Sequence, residues 1–354
     1  MNIQVIDITN PLWLQTLVKL RYDIYHLPEY VYLESKRNKA IPEAIVIVDE
    51  EKIFFLPYLL RRCDDLFDDE LTTEVFDIVS PYGYPGFLLN EAAAATPGFL
   101  NLAIDKLTEV LRNKQVCSGF IRLHPILNQN LTQLNSDILK ENGTTVAIDL
   151  TLDAQDIWHQ TRPAHRNKIN RCKRSGFKAK MMPLHKYIDE FNLIYEETMN
   201  RVEAKDFYYF GRKYFEDIAY FLGDKLHLCI VEFHKQIACA GLFAECCGIV
   251  QYHLGGTQTK FLKDAPSKLM FDYVRFWAKE RGNQVFHLGG GLGSSQDSLY
   301  HFKAGFSKQS YTFSTLRLIT DEEKYRYLVE LRAKKLNIQT EELLKSDFFP
   351  AYRS

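Results

Sequence analysis

The runs "GIVQYHLGG" at 248–256 and "QVFHLGG" at 284–290 end on the same four letters, His-Leu-Gly-Gly. Each has the apolar, β-branched and aromatic content of a strand that halts on glycine. Between them lies "APSKLMFDYVRFWAKERG" at 265–282, whose Leu269, Met270, Tyr273, Phe276 and Trp277 recur on one face of a helix. Asp264 suits its N-cap, Pro266 its first turn and Gly282 a left-handed stop. A strand, a helix and a second strand predict two parallel neighbours joined by a helical crossover. Ligands in α/β sheets favour the carboxyl ends of such strands. Glycine there keeps side chains out of a ligand's way.

Outward from this unit the pattern repeats. "KLHLCIVEF", "KQIACAGLFAEC" and "GIVQYHLGG" read as a three-strand meander, "SLYHFKAGF" as a short helix and "SYTFSTLRLI" as a last strand. In the first half, "EAIVIVD", "KIFFLPYLL" and "EVFDIVSPYGYPGF" read as strands and "TPGFLNLAIDKLTEVLRNK" as an amphipathic helix. "SGFIRLHPIL" then reads as a strand, "NLTQLNSDILKENG" at 130–143 as a helix and "TTVAIDLTL" as a strand. The two halves share element order more than residue identity, so a doubled architecture is expected. The predicted class is α/β (α+β), each unit a mixed sheet flanked by helices. The expected bounds are 1–150 and 151–330, with a helical insert at 155–224 and a helical tail at 331–354.

Composition narrows the class. At 354 residues, 46% hydrophobic and 25% charged, the chain is that of a globular protein. No run approaches the roughly eighteen apolar residues a membrane span needs. "MNIQVIDITNPLW" lacks a basic segment followed by an apolar one, so no secretory leader is read. The seven cysteines are scattered with no CxxC pair, which fits thiols in a reducing cytoplasm and argues against a metal site. The formal net charge of −1 hides an asymmetry: residues 1–150 sum to −8 and the remainder to +7. A polyanionic ligand would prefer the second half.

"GGGLGSS" at 289–295 is not a nucleotide cradle. A dinucleotide fingerprint needs a third glycine where Ser294 stands, and no Gly-Lys-Ser/Thr follows for a P-loop. The densest charge lies at 162–180, with Arg162, Arg166, Lys168, Arg171, Lys173, Arg174, Lys178 and Lys180 and no acid among them. Such runs are usually solvated; this one, on the positive half, also suits phosphate, and Arg166 and Arg171 are its candidate contacts.

Together "RPAHRNKINRCKRSGF", "YEETMNRVEAKDFYYFGRKYFEDI", "YHLGG", "APSKLMFDYVRFWAKERG", "FHLGGG" and "LYHFKAGF" resemble the FemAB-like transferases. The resemblance covers roughly residues 150–320, and more loosely "SPYGYPG" and "FIRLHPIL" in the first half. It implies tandem GNAT-like domains and amide-bond formation, an aminoacyl or acyl group passing from an activated donor to an amine. In that family the donor is aminoacyl-tRNA or acyl-CoA and no tightly bound cofactor is needed. The acceptor is a cell-wall precursor or a small metabolite, and a lipid-linked acceptor would bring contact with a membrane surface. The Phe-Lys pair of the family's Y-x-F-K motif lies by the reacting ester, which carries over to Phe302 and Lys303. "TKFLKDAPSK" at 259–268 stands where ordinary GNAT enzymes place a pyrophosphate loop, which with the basic run favours aminoacyl-tRNA.

The expected roles follow from the chemistry. Attack of an amine on an ester builds an oxyanion that a fixed cation stabilises, and Lys303 is the candidate. An ammonium must first lose a proton, and His253 and His287, at the cleft ends of adjacent strands, are candidate acceptors. Phe302, Arg166, Arg171 and Tyr300 are assigned to the donor. Tyr252, Tyr82 and Tyr84 are assigned to the acceptor, the last two walling a channel between domains. Two other classes stay open: a binding protein that keeps the fold without chemistry, and an RNA-binding module built on 162–180.

Overall fold

A computed structural model describes residues 1–67, 74–129, 131 and 134–354. The chain forms two compact units, one of residues 1–142 with 312–354 and one of residues 143–311.

The first unit opens with β1 (Asn2–Asp7), α1 (Leu12–Leu17) and α2 (Pro28–Asn38). β2 (Ile41–Asp49), β3 (Lys52–Arg62) and β4 (Phe76–Val79) follow as a meander, with the short β5 (Leu88–Leu89) beside β3. After α3 (Glu91–Ala95), the crossover helix α4 (Phe99–Asn113) buries Leu100, Ile104, Leu107 and Leu111, and β6 (Val116–Arg122) returns parallel to β4. "SPYGYPGF" leaves the sheet after Val79 instead of extending it. Gly83 takes φ +97° there, and any Cβ on it would meet the Tyr25 ring at 2.3 Å. The helix expected at 130–143 includes residues outside the described set. Its described part turns through Ile138, with the Asn135 side chain accepting from Asp137 N, and then enters β7 (Leu139–Asp149).

The second unit holds α5 (Ala154–Gln160), α6 (Pro163–Arg174), β8 (Lys178–Met182), α7 (Ile188–Arg201) and α8 (Arg212–Leu222). The stretch 155–224 is therefore not helical throughout, because Lys178–Met182 pairs with the next strand as a sheet edge. β9 (Leu226–Phe233), β10 (Gln236–Cys246) and β11 (Ile249–Thr257) form the expected meander. The crossover helix α9 (Pro266–Glu280) leads to β12 (Val285–Gly289), parallel to β11, and α10 (Ser298–Lys303) follows. Pro266 opens α9 as expected, but the cap is Ala265 at φ +56°, and Asp264 lies outside the helix.

Last come β13 (Ser310–Ile319), α11 (Glu322–Leu336) and α12 (Thr340–Leu344). Residues 312–330, assigned from the sequence pattern to the second unit, pack with the first, because β13 pairs antiparallel with β6. β7 in turn pairs antiparallel with β12. Each sheet is thus closed by the strand that sequence order alone assigns to the other half. The sheet order is β1-β2-β3-β4-β6-β13 in one unit and β7-β12-β11-β10-β9-β8 in the other. Both units run strand, two helices, three strands, crossover helix, parallel strand. The core of the second unit joins Phe243, Val250, Phe286 and Leu288 of the sheet to Leu269, Phe271 and Val274 of α9.

Candidate active site

β11 and β12 pair at Ile249↔Val285, Val250↔Phe286 and Gln251↔His287, and then part. β11 continues to Thr257 and β12 to Gly289, whose φ of +77° accompanies a register shift against β7. The two His-Leu-Gly-Gly runs lie at this parting.

α10 brings a cation to it. Asp297 caps the helix, accepting from Tyr300 N at 2.9 Å, and its other oxygen accepts from Leu292 N at 3.0 Å. The carboxylate so folds the glycine loop onto the start of α10. Gly291 is required there, since a Cβ would lie 2.4 Å from Asp297 Oδ1. One and a half turns on, Lys303 is 6% exposed. Its Nζ donates to Gly290 O at 2.6 Å and stands 5.8 Å from the Tyr252 ring centre. Burial pushes its pKa down to about 8, against the opposing pull of Asp297.

Alternation along the strands separates the other candidates. Tyr252, Phe286 and Leu288 turn toward α9, and burial raises the Tyr252 phenol above its usual range. His253 turns to the opposite face, where its Nε2 lies 3.1 Å from Tyr214 Oη of α8. His287 is fully buried with Nδ1 2.6 Å from Gln251 Oε1. Because an amide oxygen only accepts, His287 donates from Nδ1 and Nε2 is its basic nitrogen.

On the α9 side, α6 docks against the end of α10. Arg162 N donates to Gly305 O at 2.8 Å, and His165 Nε2 to Phe302 O at 2.9 Å. Gly305 permits this approach, for a Cβ would lie 2.3 Å from His165 Nε2. Burial, with the charges of Lys268 and Arg162, lowers the His165 pKa to about 4 despite that hydrogen bond. Lys268, in the first turn of α9, holds Nζ 4.9 Å from the Phe302 ring centre. Burial and the charge of Lys168 lower its pKa. Phe302 also packs against Phe271 and Phe306, and Tyr300 is half-buried beside the same core.

The basic run is partly committed. Lys173 pairs with the buried Asp272 at 2.8 Å, Lys180 with Glu232 at 2.9 Å, and Lys168 donates to Lys263 O at 3.2 Å. Arg171, 59% exposed, stands 3.9 Å from Asp264, while Arg166 is half-buried on the same helix. A cavity of about 990 Å³ lies elsewhere in this unit, between α8 and the β8–β9 edge, lined by Met181, Leu184, Tyr220, His227 and Arg281. None of the candidate residues lines it. Among the described residues no three His, Cys, Asp or Glu side chains cluster to hold a metal, and no helix is long and apolar enough to cross a membrane.

The fold described above has a solved counterpart. FemX superposes with a TM-score of 0.69 over 92% of this chain and 99% of its own, at 12% identity. The chain has the FemX fold. A conserved protein of unknown function from Bacteroides thetaiotaomicron VPI-5482 matches at TM-score 0.55 and 12% identity, over 90% of this chain and 99% of that one. The C-terminal domain of a putative lysylphosphatidylglycerol synthetase from Agrobacterium fabrum matches at 0.53 and 13%, over 85% and 90%. No family model and no curated protein matches the sequence. The doubled architecture expected above, mixed strand pairing flanked by helices in each unit, is the one found.

In its first unit, the FemX fold places Tyr82 and Tyr84 on the loop after β4. Tyr82 O accepts from Tyr30 Oη at 2.9 Å and its ring faces Arg37 at 5.4 Å, while Tyr84 meets the rings of Tyr25 and Phe313 edge-on. Beneath them Asp23 Oδ2 lies 3.0 Å from His124 Nε2, both fully buried. His124 Nδ1 accepts from Ile126 N and Leu127 N, which leaves Nε2 to donate to Asp23.

Sequence reasoning passed over Lys268, Tyr214, Gln251 and His165 as site neighbours. Lys268 had a readable signal, a lysine in the first turn of a Pro-initiated helix directly after the cleft strand. The pairing of Tyr214 with His253, or of His165 with Phe302, joins residues far apart in the chain and has no local signature.

Proposed function

We propose that this protein is a transferase that forms amide bonds, moving an aminoacyl or acyl group from an activated ester or thioester to an amine. The observation that carries this reading is the buried Lys303 ammonium, anchored by Gly290 O at the parting of β11 and β12. Addition of an amine to an ester carbonyl puts negative charge first on the carbonyl oxygen and then on the leaving oxygen. A lysine has three N–H donors; one is engaged by Gly290 and two are left to meet those oxygens. The cation is held before the reaction begins, so stabilising the charge requires little reorganisation. With its pKa lowered to about 8, the same group can pass a proton to the departing oxygen near neutral pH.

The remaining assignments belong to this reading. Phe302 and Lys268 form a cationic, aromatic wall for the donor, and Arg166, Arg171 and Tyr300 extend it along α6 and α10. Two lysines, 168 and 268, whose charges oppose one another suit an intervening phosphate. The absence of a glycine-rich pyrophosphate loop before α9 favours aminoacyl-tRNA over acyl-CoA. The lysylphosphatidylglycerol synthetase domain of the same fold, whose name joins an amino acid to a lipid, supports aminoacyl transfer and keeps a lipid-linked acceptor among the candidates. His253 and His287 are the candidate bases for the amine. Tyr252, Tyr82 and Tyr84 serve the acceptor. Donor and acceptor are co-substrates, and no resident cofactor or metal is invoked.

The test offers purified protein labelled aminoacyl-tRNA or acyl-CoA with a pool of amines, including wall precursors and aminophospholipid vesicles. Consumption of aminoacyl-tRNA with amide formation, lost in Lys303→Ala, is expected. Consumption of acyl-CoA alone would transfer the reading to the CoA-dependent branch. Consumption of neither would overturn it in favour of a binding protein.

A further inference from the structure

Cys246 and Cys247 are adjacent thiols at the hairpin between β10 and β11. Neighbouring residues of a strand point to opposite faces. Here Cys246 pairs with Ile249, so Cys247 and Gly248 alone form the loop, with φ of +44° and +77°. Positive φ at both central positions is a hairpin turn that ordinarily takes Asn or Gly first. Cysteine has no conformational advantage there, and the turn brings the two Sγ atoms to 3.9 Å of each other. The loop is also held from outside, since Gly248 O accepts from both Gln284 N and Val285 N. Cys247 is the exposed cysteine, and Cys246 beneath it is buried, as are the other five.

We propose that this hairpin is an oxidative modification site, at which a peroxide-class oxidant joins Cys246 and Cys247 in a disulfide between neighbours. The exposed Cys247 thiolate attacks the peroxide, breaking the O–O bond, and becomes a sulfenic acid as one water or alcohol departs. The Cys246 sulfur then attacks the Cys247 sulfur and the S–OH bond breaks. The hydroxide leaves as water with the Cys246 proton. Two thiols and one peroxide thus give one disulfide and, for hydrogen peroxide, two waters. The sulfurs close from 3.9 Å to a bond of about 2.0 Å, and the bond completes a strained eight-membered ring across the Cys246–Cys247 peptide.

Phenylarsine oxide probes the pair directly, because it bridges two thiols with loss of water and is released by a dithiol far more readily than by a monothiol. Native protein is expected to take one arsenical per chain, displaced by 2,3-dimercaptopropanol. It is also expected to lose two hydrogens on mild peroxide treatment, with a peptide containing both cysteines linked. Cys247→Asn, which suits the turn and so retains the fold, is expected to lose both reactions while circular dichroism stays unchanged. No adduct on native protein, an adduct that persists in Cys247→Asn, or peroxide oxidation that stops at Cys247 sulfinic acid with Cys246 reduced would each overturn the proposal. None of these readouts depends on transferase activity.

Discussion

Lys303 Nζ and Gly290 O are joined by a 2.6 Å hydrogen bond, which ties the cation of α10 to the backbone just beyond the end of β12. A lysine is ordinarily a surface charge. This one is buried and directed at the place where two parallel strands separate, so its charge costs folding free energy that a purely structural residue would not need.

Replacing Lys303 with methionine removes the charge and retains the bulk. Turnover is expected to fall about a hundred- to a thousandfold, the loss associated with one oxyanion donor. The thermal midpoint should stay level or rise, since a desolvated cation has been removed. Steady-state kinetics beside calorimetry separate the two effects, and a large drop in both would mark Lys303 as a packing residue.

The pH dependence follows from the lowered pKa. If the protonated lysine is the working form, turnover should decline as pH rises past about 8. Stability moves the other way. Between about 8 and the ordinary 10.5 the unfolded chain holds a proton that the folded chain has released, so folding strengthens as pH rises through that window. Denaturant titrations across it should show the rise in native protein and its loss in Lys303→Met.

Gly305→Ala places a Cβ where His165 Nε2 now lies, at 2.3 Å. The histidine must swing away from Phe302 O, at an overpacking cost of about 1–3 kcal/mol. Adding His165→Ala should return part of that stability. A double-mutant cycle in urea reads the coupling, and simple additivity would rule the contact out.

In the first unit the fully buried Asp77 receives Arg61 Nε at 2.8 Å and Tyr352 Oη at 3.1 Å, and pairs with Arg353 as well. Asp77→Ala leaves two guanidinium groups without their anion, at an expected cost of about 3–5 kcal/mol. Arg353→Ala should cost less, because Arg61 still neutralises the carboxylate. Equal and small losses in chemical denaturation would show that the cluster is not coupled.

The α9 crossover, the meander before it and the short helix α10 were legible in the sequence because each depends on neighbours within a few residues. Pro266 can only open a helix, Asp297 finds Tyr300 N three residues on, and Gly282 stops the chain at φ +82°. The parallel pairing of β11 and β12 followed from the length of the helix between them. Local pattern also misled: the polar, Leu-spaced 130–143 reads as a helix, yet its described residues turn and then enter β7.

What no local rule contains is which strand closes which sheet, or which charges are buried. β13 lies beside β6 and β7 beside β12 because edge strands accept any partner of matching register that reaches them, and reach is a property of the folded chain. The lysine of "FKAGF" on α10 and Lys173 on α6 are the same residue type, and both lie on helices. Only packing decides that Lys303 loses its water while Lys173 spends its charge on Asp272, because desolvation depends on atoms brought in from distant sequence.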